Sequence, residues 1–482
     1  QAAQVDVIII GGGPTGLGAA YRVIFEIHRN LCYVVQQPCC CYNNIQLFAI
    51  CKGYKTLSSH YEYFDKMIDA FYCPDNGRVM ETRKRNNFVY IRGKLVKYPV
   101  QSNLGGLPVS EKQACVMDLV KAKLEAKEAD KDKKHANLDE FLVSEWGETL
   151  CNLFFRPYIF KSWAYPTGKL RSDWVQIKIP PADLSEDLKR VMNDEYDIGW
   201  GTEAETMYPS KGGLVGVWRS ISKSLPKSNV RFKNEISELD IEEKKIVTKG
   251  GLEIKYKQLI STMPLTSLLE LSGRSDLAEN MVSSSLFVVC LGVRGATNHT
   301  DVSGCIYYPE SDTIFHRACV FSNYDPDSLP PPDTKLHTIR LAKSASNEEN
   351  TEEKAGPYWS LMLEVSGGPL KTIQEATVVL SPPVLVDDVI RDACSVGLLR
   401  DDDEIVSIHL TEMTHGYPLP TIGGYERVDE ALRWLKAKDI WSRGRFGAFK
   451  YEAGDLDHCL IQGVEAVDNM LKGIPERCIR EP

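Results

Sequence analysis

Residues 5 to 16 constrain this chain more than any other segment. Val5-Asp6-Val7-Ile8-Ile9-Ile10 is a mainly β-branched run, and Gly11-Gly12-Gly13-Pro14-Thr15-Gly16 follows it in the pattern G-x-G-x-x-G. A strand that ends on glycines just before a helix lets the backbone approach a pyrophosphate, which then sits on the helix N-terminus. Gly11, Gly13, Thr15 and Gly16 are therefore the candidate dinucleotide contacts. Helical spacing from Gly16 to Ile27 and a second strand at Cys32 to Val35 complete a βαβ opening. The acidic residue that usually ends that second strand and holds a ribose hydroxyl is replaced here by Gln36 or Gln37. A neutral amide makes a weaker bond than a carboxylate.

The chain has 482 residues, about three modest domains by length. Its 43% hydrophobic and 26% charged residues are those of a packed globular protein rather than a disordered or coiled-coil one. Signals from about 108 to 200 are mainly helical. Strand-like runs then follow at Ser285 to Val293, Cys305 to Tyr308, Ala318 to Ser322, Tyr358 to Val365 and Ile405 to Leu410, a spacing that predicts a mainly antiparallel sheet. The tail returns to the opening style, with a strand near Asp439 to Trp441, a turn from Gly444 to Gly447 and a helix from His458 to Leu471. These patterns predict an α/β chain in which residues 1–100, 205–275 and 432–482 form the dinucleotide-binding domain. Residues 101–204 form a helical domain, and residues 276–431 form an antiparallel sheet domain.

Acidic residues outnumber basic ones 66 to 57, which speaks against a nucleic-acid partner held by a general basic field. No apolar run approaches the roughly 18 residues of a membrane span, and Gln1 to Gln4 has neither the basic nor the apolar part of a signal peptide. The 14 cysteines, among them Cys32, Cys151, Cys290, Cys305, Cys319 and Cys394, are scattered through strand-like and helical segments. Reduced, buried thiols in a cytoplasmic setting are the expectation. Cys39, Cys40, Cys41, Cys51 and His60 lack the paired spacing of a zinc site, so no metal is expected. G-x-S-x-G is absent, and Asp401-Asp402-Asp403-Glu404 reads as a solvated loop.

Several longer stretches carry a resemblance. Gly11 to Tyr21 (GGGPTGLGAAY), Ser59 to Asp65 (SHYEYFD), Arg156-Pro157-Tyr158 with Lys161 to Pro166, Ile260 to Pro264, Phe321 to Tyr324 (FSNY), Gly356 to Val365 (GPYWSLMLEV), His415 to Pro418 (HGYP), Asp439 to Gly447 (DIWSRGRFG) and Gly463 to Asn469 (GVEAVDN) resemble UDP-galactopyranose mutase of the eukaryotic branch. The match covers almost the whole length and strengthens toward the C-terminus. It implies a Rossmann-like FAD-binding domain with a helical insertion and a mainly antiparallel sheet domain.

It also implies a flavoprotein isomerase, an intramolecular transferase interconverting UDP-galactopyranose and UDP-galactofuranose. In that family the reduced flavin N5 attacks the anomeric carbon, UDP leaves, and an iminium adduct lets the ring open and reclose; NADPH is the reductant. By motif, Arg317 would pair with the pyrophosphate, Tyr307, Tyr324, Tyr417 and Tyr451 would donate to the phosphates, and Tyr98 and Gln101 would hold the uridine. Trp163 would stack on uracil or fill a helix interface. Lys178 would stand at the gate as a second catalytic cation, and Gln36, Gly444, Arg445, Gly447 and Asp455 would join the flavin contacts. Tyr98, Arg85 and His60 would lie near the entry of the reductant.

The departures from the family gather on the flavin side. A glycine-rich segment is replaced by Cys39-Cys40-Cys41-Tyr42, a Gly-Gly-His loop by Gly53-Tyr54-Lys55, and a Gly-Glu-Arg gate by Gln176-Ile177-Lys178. Ile159, Glu203 and Gly454 to Cys459 also differ. The alternative reading is a flavin-poor, non-catalytic subunit or nucleotide-sugar binding protein, in that case part of a larger assembly; oligomeric state is not legible. An amine-oxidase type oxidoreductase shares the opening fingerprint but not the C-terminal motifs.

Overall fold

In the computed structural model of the chain the described residues are 3–27, 31–34, 57, 59–73, 79–128, 135–179, 181–193, 205–343, 350–371 and 382–480. The opening segment is β1 (Ala3–Ile10), the Pro14–Tyr21 helix with a π-helical extension Arg22–Ile27, and β2 (Leu31–Val34). β1 pairs in parallel with β2 on one side and with β10 (Glu253–Ser261) on the other. β7 (Val230–Arg231), β8 (Ile236–Asp240), β9 (Lys245–Thr248) and β19 (Ile440–Ser442) complete a seven-stranded sheet in the order β7-β2-β1-β10-β9-β8, with β19 also on β10.

Alternation along β1 serves two cores. Val7 and Ile9 face the helices Pro14–Tyr21, Gly213–Ser224 and Leu456–Lys472 through Leu17, Trp218 and Leu460. Ile8 and Ile10 face Leu268 and, from the Gly424–Lys436 helix, Val428 and Leu435. A strand buried on both faces must be apolar throughout, which is why the run Val7 to Ile10 does not alternate in polarity.

The second sheet is built from β4 (Phe88–Ile91), β5 (Lys94–Lys97), β11 (Ser285–Arg294), β12 (Ile306–Tyr307), β13 (Arg317–Val320), β15 (Arg340–Leu341), β17 (Tyr358–Gly367) and β18 (Glu404–Met413). Its eight strands run in the order β15-β18-β11-β17-β13-β12-β4-β5. All its pairings are antiparallel except β12 with β4. Leu361, Leu363 and Val365 of β17 pack toward the Pro382–Ser395 helix through Val389 and Ile390. The alternate positions, Met362 and Glu364, point to the opposite face. Two-stranded pairs β3 (Met80–Lys84) with β6 (Glu205–Pro209) and β14 (Leu336–Thr338) with β16 (Asn350–Lys354) lie apart from both sheets.

Four expectations change. The β4–β5 hairpin, placed by sequence in the 1–100 unit, extends the second sheet, because Phe88 and Val89 find their partners in Ile306 and Tyr307. β6, placed in the 205–275 unit, pairs with β3 outside the seven-stranded sheet. The Gly424–Lys436 helix packs on the first sheet although it begins before residue 432. Strand structure in the segment Ala318 to Ser322 stops at Val320, and Phe321–Tyr324 turns into a short helix.

Two local readings also change. Cys305 and Cys319 are not reduced thiols but a disulfide, with Cα atoms 4.5 Å apart. They follow the register Ile306↔Ala318 by one pair and so face each other directly across β12 and β13, a separation that suits a disulfide bond. Asp403 is 4% exposed and is bonded by Arg400, while Glu404 pairs with Arg294 and Lys354, so only part of the acidic run is solvated. No helix among the described residues is long and apolar enough to cross a membrane.

Candidate active site

The carboxyl ends of β1, β10 and β19 converge on the N-terminus of the Pro14–Tyr21 helix, the usual place for a ligand in such sheets. Gly11 holds φ +113°, and a Cβ there would meet Thr262 Oγ1 at 1.9 Å. Only glycine permits both the left-handed turn and this approach. Gly13 caps the helix with open space beside it, and Thr15 and Gly16 are buried in the first turn. Gly444, at φ +92°, would place a Cβ 2.7 Å from Thr15 Oγ1, so the tail turn lies directly against the fingerprint. Gly447 is enclosed less tightly, since a Cβ there would stand 3.3 Å from both the Ser261 carbonyl and Ser442 Oγ.

These residues fit a dinucleotide cofactor. The hydroxyls of Ser261 and Ser442, neighbours in register on β10 and β19, are buried without a hydrogen-bond partner among the described residues. Buried hydroxyls in that state have hydrogen-bonding capacity left for a polar group or an ordered water. Arg445 donates from Nε to the Gly454 carbonyl at 2.8 Å, and Asp455 caps the Leu456–Lys472 helix. Gln36, Cys39 to Cys41, Cys51, Gly53 to Lys55 and Glu203 lie outside the described residues. So does the side chain of Lys178, whose backbone ends the Val175–Lys178 helix.

The second part of the site is built on the face of the second sheet opposite the Pro382–Ser395 helix. Arg317 on β13 stands opposite Tyr307 on β12 and Glu364 on β17. Glu364 is 0% exposed and accepts Arg317 Nε at 3.1 Å and Nη2 at 2.7 and 2.5 Å. Burial works against the Arg317 charge, but Glu364 outweighs it and holds the guanidinium pKa well above its ordinary value. The fork thus has one edge fixed, while Nη1 makes no hydrogen bond with a described residue.

Aromatic side chains wall this face. The Tyr307 ring lies 4.6 Å from Tyr98 and 5.5 Å from Tyr158, which is carried by the Arg156–Trp163 helix. Burial pushes the Tyr158 phenol well above its ordinary pKa. Tyr451 lies 6.1 Å from Tyr417 and 4.8 Å from Trp163, and the Arg445 guanidinium stands 5.8 Å over the Tyr417 ring. Arg445 therefore links the glycine turn of the first part to the tyrosines of the second. Gln101 is 4% exposed, and its Oε1 has no partner among the described residues.

One candidate sits differently from its motif reading, and a second follows one of the two readings given for it. Tyr324 lies in the helix-facing core of the first sheet, its ring 4.5 Å from Tyr208 and its hydroxyl 3.4 Å from Thr206 Oγ1. It is the last residue of the short helical turn Phe321–Tyr324 that follows β13. Trp163 is 7% exposed and packs 5.4 Å from Trp174, so it fills an interface while touching Tyr451. His60 donates its backbone N–H to Asp457 Oδ2 at 3.0 Å and bonds the same oxygen through Nδ1 at 2.7 Å. His458 binds the other oxygen, so a His60–Asp457–His458 cluster that sequence spacing did not announce is a hydrogen-bonded clasp. Sequence reasoning also passed over Tyr158, Glu364, Ser261 and Ser442.

The chain matches the family model described as flavin containing amine oxidoreductase over residues 52–458. Among solved structures it is similar to reduced UDP-galactopyranose mutase, at 30% identity over 99% of this chain and 96% of that one, with a TM-score of 0.86. Wild-type putrescine oxidase bound to putrescine, at 12% identity over 98% of this chain and 100% of that one, shares the fold with a TM-score of 0.61. A CLA-producing fatty acid isomerase from P. acnes shares it at 13% identity over 97% and 99% of the two chains, with a TM-score of 0.60.

Proposed function

The chain belongs to the flavin containing amine oxidoreductases and to the family of UDP-galactopyranose mutase, and on that premise we propose that it interconverts UDP-galactopyranose and UDP-galactofuranose. The observation that carries this reading is the half-held Arg317 fork. Glu364 occupies one edge, Nη1 is left, and Tyr158, Tyr307 and Tyr417 surround the guanidinium. Planar donors among phenols suit a diphosphate, whose charge grows as it leaves the anomeric carbon.

The cofactor proposed for the glycine cradle is FAD, reduced by NADPH, and when bound it supplies the nucleophile to the anomeric carbon. Gly11, Gly13, Thr15 and Gly16 would receive its pyrophosphate, and Ser261, Ser442, Gly444, Arg445, Gly447 and Asp455 would border the rest. The chain's own work is then positioning. Arg317 binds the diphosphate, Tyr307, Tyr417 and Tyr451 orient it, and Tyr98 and Gln101 hold the uridine, with Gln101 Oε1 as an acceptor. Lys178 is proposed as the gate cation. Tyr324 is left out of this set because of its place in the other core.

Calorimetry with UDP and uridine tests the reading. A charge-assisted bond is worth roughly 1.5–3 kcal/mol, or about 10- to 150-fold in affinity. UDP should bind the wild type tighter than uridine, and Arg317→Ala should lose at least about tenfold for UDP while leaving uridine and any flavin unaffected. Equal affinities in all four titrations would end the reading. Flavin absorption bands in the purified protein support the mutase; UDP binding without them supports the non-catalytic alternative.

A further inference from the structure

The Arg156–Trp163 helix sends a second side chain, one turn beyond Tyr158, against the same hairpin. Lys161 is 7% exposed, and its ammonium donates to Thr313 Oγ1 at 2.7 Å and to the Glu310 carbonyl. Both acceptors belong to the turn that joins β12 to β13, and Thr313 Oγ1 donates onward to the Phe315 carbonyl at 3.1 Å. The tether thus ends two residues before Arg317. At the other side, Lys371 donates to the Lys161 carbonyl at 3.4 Å, close to the C-terminal end of the helix. Among the described residues the partners of the Lys161 ammonium are neutral oxygens, and no described carboxylate pairs with it directly.

We propose that Lys161 is a positioning residue for the diphosphate site, fixing the turn that carries Tyr307 and Arg317 and adding its positive charge to that of Arg317. This rests on the nucleotide-sugar reading above and extends it to a side chain that does not touch the substrate. The groups facing Lys161 are Asp312, Asp392 and Glu310, which favour its charge, and Lys371, which opposes it. His316, with Arg317 and Glu364 beyond it, completes the set among the described residues. Burial leads, and brings the Lys161 ammonium down to about 7 and that of Lys371 to about 8. His316 is held below its ordinary value by burial and by the three cations, Arg317, Lys371 and Lys161. An arriving diphosphate favours the charged form of the lysine, so at pH 8 binding should draw a proton onto it.

Calorimetry with UDP-galactose at pH 8, in buffers of different ionisation enthalpy and with the flavin oxidised so that nothing turns over, reads both affinity and proton uptake. The wild type should take up a fraction of a proton. Lys161→Met should bind about tenfold more weakly and take up less than the wild type, the remainder belonging to Lys371, a linkage that a merely structural role would not alter. Thr313→Val removes one acceptor but leaves the ammonium, and should keep the uptake with a smaller loss of affinity. A Lys161→Met protein with wild-type affinity and uptake would overturn the proposal. If Lys161→Met does not fold, absence of uptake in the wild type together with unchanged affinity in Thr313→Val overturns it equally. A wild type that binds UDP-galactose no better than uridine instead overturns the functional reading beneath it.

Discussion

Glu364 stands in β17 between Leu363 and Val365, in a strand whose ten residues are all buried. A lone carboxylate in such a run must be compensated, and its compensation is Arg317. Removing one partner of a buried pair costs about 3–5 kcal/mol, so Glu364→Gln should lower the melting temperature markedly. The loss leaves Arg317 short of negative charge, which a diphosphate can restore. UDP should therefore raise the melting temperature of Glu364→Gln by more than it raises that of the wild type, and an equal or smaller rise would show that Glu364 does not share Arg317 with the ligand. The glutamate was visible in the sequence as a charge inside GPYWSLMLEV, yet nothing local says which arginine meets it. Tyr324 shows the reverse difficulty. Its motif is plain, but a helical turn after Val320 decides which core it enters, and that turn is set by contacts distant in sequence.

The Pro14–Tyr21 and Leu456–Lys472 helices pack so closely that a Cβ on Gly463 would stand 2.0 Å from the Thr15 carbonyl and one on Gly18 2.5 Å from the Leu460 carbonyl. Gly463→Ala should therefore cost roughly 1–3 kcal/mol and, by displacing the fingerprint turn, lower flavin content more than UDP affinity. Flavin absorbance per chain against UDP titration checks the order of the two losses. At the start of the same helix, burial would raise the Asp457 carboxyl, but hydrogen bonds from His458 and His60 prevail and hold it at about 2. Because the folded value lies below the ordinary one, its stabilisation, about 2 kcal/mol, is present above pH 4 and lost as pH falls toward 2. Asp457→Asn should flatten acid unfolding in that window. The β12–β13 disulfide predicts that peptides carrying Cys305 and Cys319 stay linked when the protein is digested without reductant. Elements with strong periodicity or unbroken apolar runs, such as β1, β11, β17 and the last helix, were legible in the sequence. The membership of the Phe88–Lys97 hairpin was not, because short strands take their sheet from partners, here residues 306 and 307.

The whole molecule joins two sheets, and its proposed site takes one part from each, with Arg445 reaching between them. The first sheet draws β1, β10 and β19 from residues 3–10, 253–261 and 440–442, so its cradle closes only with the tail in place. This order of assembly has a consequence during synthesis. At about 5–20 residues per second the ribosome needs on the order of 20–90 s to travel from β1 to β19. β1 has both its strand neighbours once residue 261 is made, but Val7 and Ile9 lack the final helix throughout that time, and the edge of β10 that receives β19 stays open to wrong pairing. The nascent chain should therefore depend on a holding chaperone until release. Ribosome-stalled chains ending before residue 439 should be cut readily by protease and retain no flavin, whereas chains extended past residue 472 and clear of the exit tunnel should resist. Protection already complete in the shorter chains would place the closing of the cradle earlier than the geometry of β19 allows.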